Sequence, residues 1–131
     1  MGTLLWEALD VLREGGMIKG NRGDTRDRQS GHCALGLIDC VITNKECYSY
    51  ANDIEPDYVA LAEAASTMFP DRAHPSTDKF NGYYGFGEEM PVNSFPNQSV
   101  IAAFNNHPAT TMDDLIQVFE KAAIQRDEII Q

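Results

Sequence analysis

A chain of 131 residues with 43% apolar residues suits one folded domain with one core. No run in it approaches the roughly 18–20 apolar residues of a membrane span. Its net charge of −10 excludes non-specific nucleic-acid binding, which needs clustered Lys and Arg to neutralise phosphates.

The distribution of charge is more informative than its sum. Residues 1–30 hold five acids and five bases, whereas residues 31–131 hold fifteen acids and five bases. The N-terminal stretch MGTLLWEALDVLREGG has no basic region ahead of its apolar residues, so it does not read as a secretory signal. Leu5-Trp6 stands where a myristoylation signal needs a small hydroxyl residue. A cytoplasmic protein is expected. Three cysteines without an export signal argue against a disulfide framework, and the regular spacing of Cys33, Cys40 and Cys47 matches no zinc pattern. Buried, unpaired thiols are the expectation.

Thr3 can cap a first helix over about 4–14, in which Leu5, Ala8, Leu9 and Leu12 form one apolar stripe. Gly15-Gly16 should stop it. A polar loop over 17–31 follows, with a possible short strand at Met17-Ile18. Ser30 or Gly31 can cap a second helix over about 32–42, HCALGLIDCVI, whose sole charged residue is Asp39. A segment apolar on nearly every side belongs in the middle of the fold. The β-branched tail Val41-Ile42-Thr43 leaves a strand possible at its end.

After a loop at 44–54, a third helix starts at Pro56. Asp53, Glu55 and Asp57 suit the positive end of its dipole. Tyr58, Leu61, Ala62, Ala65, Met68 and Phe69 make its buried stripe, and Pro70 ends it. Residues 70–97 form the longest irregular stretch, in which Phe80, Tyr83, Tyr84, Phe86 and Phe95 are expected to pin the loop to the body. A short helix over about 98–106 buries Val100, Ile101 and Phe104, and His107-Pro108 breaks it. Thr111 caps the last helix, with Asp114 three residues on as a shorter capping box. Its stripe is Met112, Leu115, Ile116, Phe119 and Ala123. It should run to about 127, with the tail RDEIIQ fraying. The fold class is therefore mainly α: a single-domain bundle of about five helices with two long loops and a minor β element.

The segments EALDVLREGG, GHCALGLID and SVIAAFNNHPATTMDDLIQVFEKAA together resemble a small uncharacterised domain family of actinobacteria and their phages. Cys33-Ala34-Leu35-Gly36-Leu37 corresponds to its Cys-x-x-Gly-Ala-Leu-like element. Ile101-Ala102-Ala103-Phe104-Asn105-Asn106 corresponds to its Ile-x-x-Trp-Asn-Asp-like element. The resemblance covers about half the chain. Met17-Ile18 departs from the family's Trp-Cys, Phe104 from its tryptophan and Asn106 from its acid. What it implies is a compact, mostly helical domain in a bacterial or phage setting, with no activity to carry over.

The richest candidate site is the loop. Lys19, Arg22, Arg26 and Arg28 are four of the chain's ten basic residues, and they fall within the ten positions 19–28, ahead of His32 and a helix start. Free amides and the dipole at such an end attract phosphate or carboxylate, and arginine forks add bidentate contacts. Lys19, Arg22, Arg26, Arg28 and His32 are thus a hypothetical anion site, although Asp24 and Asp27 can satisfy the same charges and the order of residues is not a P-loop. The same loop can grip an acidic protein partner. A thiol site would use Cys33 in a first helical turn, with His32 or His107 as base and Asn105 or Asn106 to orient His107. The core role of Cys33 is preferred. Arg22-Gly23-Asp24 and the sequon Asn97-Gln98-Ser99 have no secretory context and read as accidental. His32, His74 and His107 lie at no metal-ligand spacing, Glu88-Glu89 and Asp113-Asp114 read as a loop and a helix N-terminus, and no cofactor or catalysis is expected. The leading expectation is an interaction protein that binds a host protein or itself through the 17–31 loop, the 70–97 loop or both. The alternative is a small-molecule or nucleotide-binding protein or enzyme at the Arg-rich loop, with Cys33 nearby.

Overall fold

The computed structural model describes residues 4–19, 23–24, 26–43, 55–73 and 96–130. These contain five helices: α1 (Leu4–Gly15), α2 (Ala34–Thr43), α3 (Pro56–Met68), α4 (Pro96–Asn106) and α5 (Met112–Ile130). The main contacts run α1 to α2, α2 to α4, α4 to α3, α3 to α5 and α5 back to α1. Each helix thus packs chiefly on two others, and the five close into a cycle around one core. No helix among the described residues is long and apolar enough to cross a membrane.

The apolar stripes account for the cycle. Leu5, Ala8, Leu9 and Leu12 are buried as the 3–4 spacing requires, and Leu4 and Val11 widen the stripe. α2 buries Ala34, Leu35, Leu37, Ile38, Cys40 and Val41, which fits a segment apolar on nearly every side. α3 buries Tyr58, Leu61, Ala62 and Ala65, with Met68 and Phe69 partly covered. α4 buries Ile101 and Phe104, and α5 buries Leu115, Phe119 and Ala123, while Val100, Met112 and Ile116 are partly buried. Each fully buried Leu or Phe is worth about 1.5–3 kcal/mol. An exposed ion pair is worth about 0.2–1 kcal/mol, so the core determines the fold and the surface pairs only trim it.

The helix ends differ from the sequence reading at several places. The predicted Thr3 cap lies outside the described residues, as do the 44–54 loop, residues 74–95 with their five aromatics, His74 and Cys47. α2 begins at Ala34 rather than His32, because His32 takes extended backbone and pairs with the strand-like segment before the loop. Its β-branched tail stays helical to Thr43. α4 begins at Pro96, two residues early, since proline at a first helical position forfeits no hydrogen bond. α3 has Pro56 at its first position after Glu55, whose side chain makes no cap bond, so the proline and the buried Asp57 mark the start.

The tail of α5 is the largest correction. The helix runs to Ile130, and Arg126 and Asp127 are held instead of frayed. Arg126 Nε donates to Asp57 at 2.9 Å in a mostly buried ion pair. Trp6 Nε1 donates to Asp127 at 2.8 Å, joining α1 to α5 across 121 positions. Gln125 donates to Glu63 at 3.0 Å.

The start of α5 is the predicted capping box. The Asp114 amide donates to Thr111 Oγ1 at 3.2 Å and the Thr111 amide donates to Asp114 Oδ2 at 3.1 Å. Asp114 also receives Arg72 Nη1 at 2.7 Å. The Arg72 guanidinium lies 4.7 Å from the centre of the Phe69 ring, and Phe69 stacks on Phe104 at 5.2 Å. One column thus runs from α4 through the end of α3 to the first turn of α5. Burial works to raise the Asp114 carboxyl, but the Thr111 amide, the Arg72 guanidinium and the Thr111 hydroxyl outweigh it and hold it below the ordinary aspartate value of 3.8.

A carboxyl lowered by folding stabilises the protein above the unfolded value, and that contribution is lost as pH falls through the folded one. Thermal melts between pH 7 and pH 2.5 should therefore show an acid limb that is flatter in Asp114→Asn, with the variant less stable than wild type at neutral pH. Parallel acid limbs would remove Asp114 from this role.

Candidate functional site

Loop 17–31 leaves α1 at Gly16, which has φ +85° and whose amide donates to Leu12 O at 2.8 Å. Met17 then forms a single parallel bridge with His32, the minor β element expected at Met17-Ile18. The His32 amide donates to Gly16 O at 3.2 Å, and the Ile18 amide donates to His32 O at 3.1 Å. The two ends of the loop are thereby held side by side.

Between them the chain turns on its own aspartates. Asp24 Oδ1 accepts the Arg26 amide at 2.9 Å and Asp27 Oδ1 accepts the Gln29 amide at 2.9 Å, both turns that Asx side chains make locally. Gly23 has φ +77°, and a Cβ there would lie 2.1 Å from Gly31 O. Only glycine lets the backbone pass close enough for Asp24 O to reach His32 Nε2 at 2.9 Å. A carbonyl only accepts, so Nε2 donates in this contact. His32 is fully buried, and its Nδ1 has no hydrogen-bond partner.

The predicted anion-site residues are therefore not equivalent. Lys19 is exposed, and its ammonium donates to His107 O at 2.6 Å, which ties the loop to the end of α4. Arg28 donates to Glu14 through Nε at 3.0 Å and Nη2 at 2.8 Å, a half-exposed pair at the end of α1. Arg26 is exposed at the loop's surface. Arg22 lies outside the described residues. His32 lies beneath the loop as an internal strut.

The N-terminus of α2, which sequence reading offered to an anion, has internal acceptors. Cys33 is its cap residue: Cys33 O accepts the Leu37 amide at 2.9 Å and Cys33 Sγ accepts the Gly36 amide at 3.3 Å. The Ala34 amide goes to a distant partner, Asn105 Oδ1, at 3.0 Å. Asn105 is fully buried, and its Nδ2 donates to Ile18 O at 3.1 Å and to Asn106 Oδ1 at 3.4 Å. A single amide side chain from α4 thus caps α2 and fastens the strand-like segment. Sequence reading considered Asn105 only as an orienter of His107. The signal that could have found its role is a polar residue at a core-facing position of the apolar run VIAAFN.

The thiol arrangement is likewise taken up by the fold. His107 Nδ1 accepts the Ala109 amide at 3.1 Å and shapes the turn after α4. Cys33 and Cys40 form no disulfide with each other, and both are buried. Burial pushes the Cys40 thiol up; Arg28 pulls it down, while Asp24, Asp27 and Glu14 push it further up. A thiol held protonated in this way makes Cys40 a poor nucleophile. No group of three or more His, Cys, Asp or Glu side chains among the described residues could hold a metal ion. Of the Arg-Gly-Asp string, Asp24 is spent on the turn at Arg26.

The sequence profile of a family of unknown function, DUF6197, matches residues 1–125, and the chain belongs to that family. The match covers most of the chain, where the resemblance noted from its motifs covered about half. No curated protein and no solved structure matches.

Removing the Asn105 side chain leaves the buried Ala34 amide without this acceptor, at about 1–3 kcal/mol, and the half-buried Ile18 carbonyl without this donor, at about 1 kcal/mol. Urea unfolding of Asn105→Ala should show a loss of about 2–4 kcal/mol on that basis. Asn105→Asp should be at least as damaging, because a carboxylate cannot donate to Ile18 O. A loss under 0.5 kcal/mol in both would overturn the bridging role. Separately, Cys33 and Cys40 should react with a thiol reagent only on unfolding, and peptide mapping of labelled protein checks this; fast native labelling of Cys33 would reopen the nucleophile reading.

Proposed function

We propose that this DUF6197 member is a non-catalytic interaction protein whose recognition surface includes loop 17–31. The observation that carries the reading is the loop's construction. It is clamped at its base by the Met17–His32 bridge, Asn105 and Lys19, and yet residues 26–29 are all exposed. A pre-ordered, exposed segment loses little conformational freedom on docking, which favours affinity for a macromolecular surface. The groups that a catalyst would use, His32, Cys33 and Asn105, are buried and committed to holding the loop and capping α2.

The bacterial or phage setting implied by the motif resemblance makes a cytoplasmic host protein with an acidic patch facing Arg26 the partner of choice. The competing reading is a nucleotide or other phosphorylated ligand, bound or turned over at the loop. Among its described cations, Lys19 and Arg28 already have partners within the protein, so it draws mainly on Arg26.

The two readings separate in one pair of experiments. Affinity capture from bacterial lysate should retain a discrete protein that Arg26→Ala loses, with thermal stability unchanged. Melts against a panel of nucleotides should be flat. A melting-temperature rise with a nucleotide that disappears in Arg26→Ala would replace the proposal with the ligand-binding reading.

A further inference from the structure

We draw no further inference here: the strongest candidate, the shallow depression around the exposed Ile124 between the end of α3 and α5, carries nothing because nothing in the structure shows what covers it.

Discussion

The arrangement depends on one amide side chain. α2 is the most apolar helix and lies within the core, so the amides of its first turn are away from water. A buried N–H without an acceptor is expensive, and the residues before α2 cannot supply enough acceptors, because His32 is already committed to the bridge with Gly16 and Ile18. Asn105 meets the need from the far end of α4, and its second arm holds Ile18. Moving α4 by a fraction of a helical turn would break the cap of α2 and the docking of the loop together. The contact between α2 and α4, the turn out of α1 and the seat of His32 are therefore one constraint rather than three.

Seen this way, the part of the fold legible in the sequence is the part decided by local rules. The stripes of α1, α3 and α5, the glycine stop at Gly16 and the Thr111–Asp114 box all depend on residues within a turn or two of one another. The start of α2 was misplaced because its cap is unusual twice over: a thiol sulfur serves where an oxygen is expected, and the first amide is satisfied from 71 positions away. The tail RDEIIQ looks frayed locally, being charged and short of helix-stop signals. Its anchors, Trp6 and Asp57, lie near the starts of two other helices. At the candidate site, the sequence identified the loop and its cations, and it noted that local acids could satisfy them. It could not show that Arg28 would turn to Glu14, or Lys19 to a carbonyl, since both choices depend on how α1 and α4 approach the loop.

The acidity of the chain has a structural share as well. Asp57, Asp114, Glu120 and Asp127 face Arg126, Arg72, Arg13 and Trp6 respectively, and each of these contacts has α5 on one side. The half-exposed Arg13–Glu120 pair, at 3.6 Å, contributes little. The mostly buried Asp57–Arg126 pair differs, because either partner left alone would be a charge held away from water. These contacts orient α5 along its length and fix which face it turns outward.

The closed cycle of helices has a consequence for synthesis. α1 packs on α2 and on α5, and the Trp6–Asp127 hydrogen bond spans 121 positions. Residues made first therefore wait for residues 112–130 before their outer flank is covered. Until then the nascent chain holds α1 and the nearly all-apolar α2 with one wall of their enclosure missing, a state open to aggregation and to chaperones. A fold whose first and last helices are neighbours is assembled late and all at once, which puts its vulnerability in its biogenesis more than in the finished molecule.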